Sequence, residues 1–330
     1  MAITLDEMKV GMADKVFGQV IDTFLRESEI LQMLPFDDCV SPSGGSTLTY
    51  SYVQTVLPST AEFRALNSEY TDSAAKLETK HTDLKIFGGS FPFDRVLNQA
   101  GGKFNNMAFQ MTEKIKAAVS LFHHTIINGD STTSSDKEFD GLDKMLAGTT
   151  SEYNKDAVLD ISTSDKLKTN ADQFYELLTT LIRNTNADAL LMNSDTIGKV
   201  QTLARILGYK TESEESFGRK IVSMDGVRLM DLKNHYTVSG SSATANPCVK
   251  KGISRTVSTS QTGLTDIYAV KFDVNDGFHG VTLSGNSGIK QYLPNFNQPG
   301  AVKEGEVEMV AAAVLKKTAN AGVLRNIKLA

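Results

Sequence analysis

The adjacent histidines His123 and His124 are the residues whose spacing tests most directly for metal or acid–base chemistry. Imidazole binds metal ions and exchanges protons near neutral pH. Neighbouring residues of a helix point about 100° apart, so this pair cannot bind one ion together from a helix. No HExxH sequence surrounds them. We therefore expect one of them to be packed and the other exposed, without a metal or catalytic role.

The other potentially reactive side chains are isolated in the sequence. Cys39 and Cys248 are too far apart for a zinc or redox motif, and two free thiols in a reducing compartment are the simplest interpretation. His81, His235 and His279 each stand alone and are expected to be structural.

The glycine-containing stretches do not match catalytic motifs. GGSFP at 88–92 and GNSGI at 285–289 lack the spacing of a serine-hydrolase elbow. Gly101-Gly102-Lys103 lacks the first glycine of a phosphate-binding loop, and no GxGxxG follows a strand. The acidic TESEES at 211–216 is interpreted as a solvated loop. The sequence predicts no enzyme and no catalytic, cofactor-binding or metal-binding residue.

Composition indicates an ordinary globular protein. The 330 residues are 40% hydrophobic and 22% charged, a length sufficient for two or three packed domains. The formal net charge of −5 argues against a dedicated nucleic-acid-binding protein, which usually presents a clustered basic surface. No signal peptide is recognisable, and the longest apolar run, MVAAAVL at 309–315, is too short for a bilayer. We expect a soluble chain made in the cytoplasm and not attached to a membrane.

The strongest single element is a long helix predicted from Gly102 to Asn128. Its apolar residues recur at steps of three and four, namely Phe104, Met107, Ala108, Met111, Ile115, Ala118, Val119, Phe122 and Ile126. Asn128-Gly129 predicts its end, because both residue types tolerate the left-handed conformation that caps a helix. A link without apolar residues from Ser131 to Glu138 then leads into FDGLDKML at 139–146.

A long two-stranded hairpin is predicted before this helix. STLTYSYVQ at 46–54 alternates as a strand does, and KLETKHTDLKIF at 76–87 is a second β-like run beyond a polar stretch. An isolated hairpin is marginally stable in water, so this one must lie on another surface. No nearby segment of the chain is an obvious partner for it.

The region after residue 165 has the pattern of an α/β domain. Helices are predicted at 171–184 and from Ser194 or Asp195 to about Leu207, with a buried strand at 189–193 between them. Asp225-Gly226 predicts the turn of a hairpin. We expect the polar residues 239–263 to form an exposed loop, and strands to resume at 266–273 and 280–285.

This order of elements resembles the major capsid protein of tailed bacteriophages, whose fold is shared with encapsulins and the floor of herpesvirus capsids. In that family the spine helix ends in an Asn-Gly turn and a Gly-Leu pair follows soon after. Asn128, Gly129, Gly141 and Leu142 match that pattern. Later family segments are matched in order by ADALLMNSDTIGKVQTL (187–203), IYAVKFD (267–273) and VAAAVLKKTANAGVLRNIKL (310–329). The resemblance covers almost the whole chain.

The resemblance implies an α+β fold with an N-terminal arm, an extended β-hairpin loop, a peripheral domain with a long spine helix, and an axial α/β domain. Residues 1–45 would form the arm, and residues 46–94 the extended loop that lies across a neighbouring subunit. Residues 95–165 and 305–330 would form the peripheral domain, including the spine helix at 102–128. Residues 166–304 would form the axial domain, which meets its copies around the capsomer axis.

The function implied by this resemblance is structural. Hexamers and pentamers would close into an icosahedral shell around double-stranded DNA, without sequence-specific binding, and the chain would reside in the virion capsid after assembly in the host cytoplasm. Its partners would be other copies of itself, a portal protein, a decoration protein and a separate scaffolding protein. The separate scaffolding protein is inferred because the chain starts with Met1, almost directly at the arm.

Some relatives cross-link a lysine of the extended loop to an asparagine of a neighbouring subunit. Lys76, Lys80 and Lys85 lie in this loop region. Neither a partner asparagine nor a catalytic glutamate can be aligned, so we expect non-covalent packing.

Two alternatives remain open at this point. An encapsulin-type compartment would have the same fold, although the chain is longer than the usual encapsulin and its N-terminus resembles a phage arm. A soluble α/β enzyme or binding domain would be a protein of a different class.

Overall fold

The computed structural model of the chain describes residues 30–40, 48–96, 106–133, 137–208, 212–216, 219–284 and 288–330. Most of the arm predicted at 1–45 and the first residues of the helix predicted at 102–128 lie outside these ranges.

The described helices are α1 (Ile30–Met33), α2 (Asn106–Asn128), α3 (Leu142–Leu146), α4 (Ser164–Thr169), α5 (Ala171–Thr185) and α6 (Ser194–Leu207). The described strands are β1 (Phe36–Val40), β2 (Thr49–Leu57), β3 (Lys76–Asp83), β4 (Lys85–Asp94), β5 (Glu152–Tyr153), β6 (Leu159–Asp160), β7 (Ala189–Leu191), β8 (Glu212–Ser216), β9 (Arg219–Met224), β10 (Val227–Met230), β11 (Asn234–Ser239), β12 (Ser242–Pro247), β13 (Ile253–Val257), β14 (Thr259–Val270), β15 (Phe278–Leu283), β16 (Lys290–Tyr292), β17 (Val302–Leu315) and β18 (Ala321–Lys328).

The long helix α2 packs on a five-stranded sheet built around β17. This sheet has the order β1-β15-β17-β16, and β4 also pairs with β17 along its length. The alanines Ala311, Ala312 and Ala313 are fully buried in the core that includes Phe122 and Ile126 of α2. Small side chains let the neighbouring elements pack closely against both faces of this strand.

A nine-stranded sheet separates two apolar cores. Its main path runs β5-β18-β14-β7-β10-β9-β8, with β6 and β13 paired alongside. Ala189 and Leu191 of β7 belong to the core that contains α2, whereas Leu190 belongs to the core beneath α5 and α6. Because successive strand residues face opposite sides, a strand buried on both faces reads as a continuous apolar run.

Two hairpins complete the described architecture as separate two-stranded sheets: β2 with β3, and β11 with β12. The first hairpin connects to the body through Tyr52, whose hydroxyl donates to the Leu315 carbonyl at 3.3 Å. Gln54 donates to the Lys316 carbonyl at 3.1 Å. The long segment between β2 and β3 is exposed throughout.

Several local predictions are confirmed by these elements. The long helix ends at Asn128, and the two helices predicted around the strand at 189–193 are α5 and α6. Asp225 and Gly226 both have positive φ, as the tight turn between β9 and β10 requires. The cap of α6 is Asn193, whose side chain accepts from the amide of Thr196, rather than Ser194 or Asp195.

Long-range pairing corrects one expectation and adds two pairings that the sequence did not predict. The stretch 239–263 is not a loop, because β12, β13 and the start of β14 lie within it and obtain their hydrogen bonds from neighbouring strands. Residues 36–40 form β1, which pairs in parallel with β15. The final segment divides between the two sheets: β17 joins the sheet under α2, and β18 pairs with β14 in the nine-stranded sheet.

His123 is a buried polar group within α2. Its side chain is 0% exposed, and neither ring nitrogen has a hydrogen-bond partner. Burial lowers its pKa to about 4, so the ring is neutral at pH 7. His124, its neighbour, is half-buried, so the expectation that it would be exposed is wrong.

Replacing the buried histidine by a shape-compatible apolar residue, His123→Leu, should stabilise the fold by about 1–3 kcal/mol at pH 7, because unpartnered polar atoms are removed. The pKa of the unfolded histidine is near 6.5, above its value in the folded protein. Above pH 6.5 both states are neutral and His123 adds no pH dependence. As the pH falls from 6.5 towards 4, the unfolded state binds more protons and the free energy of unfolding of the wild type decreases. Chemical denaturation at pH 7 and pH 5 measures both effects. The exposed His81→Leu should change stability by less than about 0.5 kcal/mol, and an equal acid loss in wild type and His123→Leu would contradict the assignment.

Candidate functional site

The residues that match the capsid-protein pattern meet at one junction between α2 and α3. The amide of Gly129 donates to the Thr125 carbonyl at 2.9 Å and so completes the last turn of α2. The carbonyl of Gly129 accepts from the amide of Gly141 at 2.9 Å. Gly141 is the N-cap of α3, and its carbonyl accepts from Met145 at 2.9 Å. One backbone contact therefore joins the end of the long helix to the start of the short one.

Both glycines are required by the closeness of this contact. A Cβ on Gly141 would lie 2.5 Å from the Ile127 carbonyl oxygen and 2.7 Å from the Gly129 nitrogen. A Cβ on Gly129 would overlap the Phe139 carbonyl oxygen and the Thr125 side chain. Neither glycine has a positive φ. The predicted helix end is at the right residue, but the left-handed cap invoked for it is wrong, because glycine is needed here for backbone approach.

Asn128 and Leu142 fasten the two sides of the junction. The Asn128 amide donates to the Cys248 carbonyl at 2.6 Å and to the His124 carbonyl at 3.2 Å, so it ties the end of α2 to the chain after β12. Leu142 is fully buried in the core that contains α2. An amide that bridges two carbonyls explains why this position favours asparagine.

The polar link between the two helices is closed by Lys144 of α3. Its ammonium contacts Asp130 at 2.7 Å and Asp140 at 2.8 Å. Asp140 also accepts from the amide of Ser131 at 2.9 Å. The hydrogen bond between Lys144 and Asp130 lowers the pKa of Asp130 and raises the pKa of Lys144. These groups are partly exposed, so the pairing fixes the shape of the link more than it stabilises the fold.

An aromatic cluster centred on Phe122 holds the link against the core. The Phe122 ring stacks on Phe87 of β4 at 5.6 Å and on Phe36 of β1 at 6.1 Å between centroids. Phe139, which ends the link, packs on the same ring at 5.7 Å. Three other segments of the chain, β1, β4 and the link, therefore meet on one side chain of α2.

A buried ionic network joins α3 to the nine-stranded sheet. Arg325 of β18 contacts Asp143 of α3, and it lies 3.0 Å from Asp266 and 2.9 Å from Glu152. Arg255 of β13 binds both oxygens of Asp266 at 2.6 Å. Burial alone would raise the pKa of Asp143, but the charges of Arg325 and Arg255 and the hydrogen bonds from Arg325 and Tyr268 together outweigh it, and the pKa is lowered. The Asp143 carboxylate therefore stays charged in this network.

The residues of this network were not identified as a site from the sequence. The signal for them is a charged residue on the core-facing side of an apolar strand, as in Arg325 of AGVLRNIK and Asp266 just before IYAV. Two such residues of opposite charge on buried strands indicate a partner pair, because an unpaired buried charge is very costly. Which strands are adjacent is visible only in the fold.

The three lysines of the hairpin region are separated in the structure. Lys76 is exposed on β3. Lys80 pairs with Glu78 at 3.0 Å, and Lys85 lies 4.0 Å from Asp83 with its side chain 13% exposed. Lys80 and Lys85 line a cavity of about 320 Å³ between the hairpin root and the link, whereas Lys76 does not. The opposite wall carries Glu138 and Asp140, so the cavity has mixed charge.

The described residues offer no other reactive constellation. No group of three or more His, Cys, Asp or Glu side chains among them is arranged to hold a metal ion. Burial raises the pKa of the Cys248 thiol to about 12, which keeps it protonated and unreactive. Among the described helices, none combines the length and apolar character needed to cross a bilayer.

No family model matches this sequence, and no curated protein matches it. Similar solved structures cover nearly the whole chain. The holo-SrpI encapsulin complex from Synechococcus elongatus aligns over 100% of this chain and 97% of that chain, with 12% identity and a TM-score of 0.59.

Phage capsids align comparably. The capsid of Myoviridae phage XM1 matches over 94% of this chain and 96% of that chain, with 11% identity and a TM-score of 0.56. The mature capsid of bacteriophage PhiM1 matches over 99% of both chains, with 10% identity and a TM-score of 0.53. The chain therefore has the fold of tailed-phage capsid proteins and encapsulins, and the predicted fold class is confirmed. Its division into arm, extended loop, peripheral and axial domains stays a prediction.

Adding one methyl group at the junction, Gly141→Ala, should destabilise the protein by about 2–4 kcal/mol, because backbone on both sides of the contact must move. Gly198→Ala in α6 is the matched control, since nothing lies within 4 Å of its added Cβ. That control should stabilise the helix by up to about 1 kcal/mol. Denaturant unfolding of both variants checks the difference, and equal effects would show that the junction tolerates a side chain.

Removing the central charge of the buried network, Arg325→Met, should cost about 3–5 kcal/mol, because Asp143 loses its main partner and Asp266 and Glu152 each lose one ion pair. The same change at the exposed Arg205 of α6 should alter stability by less than about 0.5 kcal/mol. Urea unfolding at pH 7 measures both. A loss below about 1 kcal/mol for Arg325→Met would indicate that the network is open to water.

Proposed function

We propose that this chain is the major capsid protein of a tailed double-stranded DNA bacteriophage. Full-length similarity to shell subunits, including the capsids of phages XM1 and PhiM1, is the observation that carries the proposal. Hexamers and pentamers of the chain would form an icosahedral shell in the virion, assembled in the host cytoplasm. The proposed role is structural and non-enzymatic.

The surface of the β2–β3 hairpin supports an assembly role. Phe63 is fully exposed and Leu66 is 90% exposed at its tip. Along its strands Val53, Leu57 and Leu77 are also mostly exposed. Large apolar side chains gathered on one projecting element are characteristic of a protein interface.

The tip is ordered by its own polar contacts. The amide of Thr60 donates to Ser73 at 3.0 Å, and that of Thr71 donates to Glu62 at 2.5 Å. The Arg64 guanidinium lies over the Tyr70 ring at 5.4 Å from its centroid. A tip that is shaped before it meets a partner loses less conformational entropy on docking. We propose that it lies across a neighbouring copy of the chain, with Lys76, Lys80 and Lys85 in non-covalent contacts.

The proposed shell would enclose DNA without binding it tightly. The net charge of −5 provides no dominant basic surface for phosphate binding. We propose a scaffolding protein, a portal protein and a decoration protein as further partners. Asn128, Gly129, Gly141 and Leu142 would serve assembly indirectly, by fixing the orientation of α2 relative to the rest of the subunit.

An encapsulin-type compartment is a second candidate, favoured by the TM-score of 0.59 with the Synechococcus elongatus encapsulin complex. Chain length does not argue against it, because the alignment spans 100% of this chain and 97% of that encapsulin chain. Phage capsids and the encapsulin align to a similar extent, so the contents of the particle must decide between them.

Negative-stain electron microscopy of the purified protein, with and without the product of the adjacent gene, tests the shell function. Closed shells, tubes or rings of five and six subunits are expected. A monodisperse monomer or dimer under all conditions would instead support a soluble enzyme or binding domain. Particles isolated from the native source should contain double-stranded DNA, whereas particles that contain a single enzyme would establish the compartment.

The hairpin tip supplies a sharper test. The double variant Phe63→Asp/Leu66→Asp should fold with unchanged stability, within about 0.5 kcal/mol, because both side chains already stand in solvent. Particle yield should fall at least tenfold, since burying two carboxylates in an interface is strongly unfavourable. Val238→Asp on the β11–β12 hairpin, where the side chain is 73% exposed, is the control. Normal particles from the double variant would exclude the tip from the interface.

A further inference from the structure

The β11–β12 hairpin is attached to the body mainly through one contact with α2. It forms a separate two-stranded sheet, and the residues near its turn, from Thr237 to Ala245, are mostly exposed. At its base, the amide of Cys248 donates to the Lys233 carbonyl at 3.0 Å. Between base and tip, Asn234, His235 and Tyr236 of β11 are half-buried.

Two histidines form the centre of that contact. The rings of His124 on α2 and His235 on β11 lie 5.7 Å apart between centroids, tilted by 46°. Nδ1 of His235 lies 3.4 Å from the hydroxyl of Ser120, one turn earlier on α2. Neutral imidazole rings can pack together at this separation, whereas two imidazolium ions repel each other.

Among the residues that the structure describes, no carboxylate compensates a positive charge on this pair. Within the described residues, neither histidine has a hydrogen bond or ion pair with a carboxylate. Lys250 adds positive charge beside His124. On the same side, Asp231 pairs with Lys233 at 3.0 Å, and the Cys248 thiol is neutral. The buried His123 is uncharged at neutral pH and cannot offset an imidazolium.

We propose that the contact between α2 and the β11–β12 hairpin is a pH-sensitive clasp, closed while His124 and His235 are neutral and released when they are protonated. Release separates the hairpin from the Ser120–His124 face of α2 and leaves both sheets intact. This device is independent of the proposed shell function, because it uses contacts within one chain only.

The direction of the effect follows from the burial of the two rings. Burial and the neighbouring charges lower the pKa of His124 to about 4, and burial lowers that of His235. A released histidine has a pKa near 6.5, so the released form binds more protons between pH 6.5 and 4. For His124 alone, this corresponds to a roughly thirtyfold shift towards release between pH 7.5 and pH 5.

Hydrogen–deuterium exchange of the purified full-length protein at pH 7.5 and pH 5 tests the clasp. After correction for intrinsic exchange rates, amide protection in residues 234–247 should fall at least tenfold at pH 5. Protection in β14 should fall much less. Unchanged protection of 234–247, or an equal loss in β14 that indicates global unfolding, would overturn the proposal.

Uncharged variants show whether the two histidines are responsible. The double variant His124→Gln/His235→Gln should lose most of the pH dependence in 234–247. His124→Gln alone removes the group with the roughly thirtyfold shift, so it should lose the larger part and remains informative if the double variant folds poorly. His81→Gln, on the exposed surface of β3, should behave as wild type. A pH response that persists undiminished in His124→Gln or in the double variant would assign it to other groups.

Discussion

The close approach of Gly129 and Gly141 is the constraint on which the described arrangement depends. A single backbone hydrogen bond joins the end of the long helix to the start of α3, at a separation that excludes any side chain. This geometry directs Phe139 onto Phe122, sends Asp143 towards Arg325 and returns Lys144 to Asp130 and Asp140. Apolar packing, a buried ionic network and a surface ion pair therefore all share one origin.

The interior and the exposed hairpin of the chain differ in how their side chains are partnered. In the interior, Arg325 and Arg255 form ion pairs with the carboxylates between the nine-stranded sheet and α3. Replacing such a network by apolar residues is often neutral in stability, so its value lies in fixing one relative arrangement of the elements. Outside, the β2–β3 hairpin leaves large apolar side chains without a partner. The chain thus combines a rigid interior with one projection whose apolar side chains are exposed, which is the combination that the proposed shell function requires.

The two adjacent histidines of α2 make the packing of this helix sensitive to pH. His123 lies in the core and His124 at the contact with β11, and burial lowers the pKa of both. The long helix thus carries two titratable groups whose protonation opposes its packing on two different faces. Acid is expected to act first on this helix, because the pairing with Arg325 helps to keep the Asp143 carboxylate ionised to lower pH.

Local features were determined by the sequence itself. The end of the long helix at Asn128, the helices α5 and α6, the buried strand between them and the turn at Asp225-Gly226 follow from periodicity and residue preference over a few neighbouring residues. The ordered resemblance extended these features to the fold of the whole chain, and the solved capsid and encapsulin structures agree with it.

Only the tertiary structure decided which distant segments meet. It placed strands in the polar stretch 239–263, moved β18 into the nine-stranded sheet, and brought Arg325 within reach of Asp143, 182 residues earlier. It also showed why glycine is needed at position 129. The sequence suggested a left-handed helix cap, whereas in the structure the backbone of Phe139, across the link, leaves no room for a side chain. Periodicity reports how one face of an element is buried, whereas partners and registers depend on contacts between residues that no local pattern encodes.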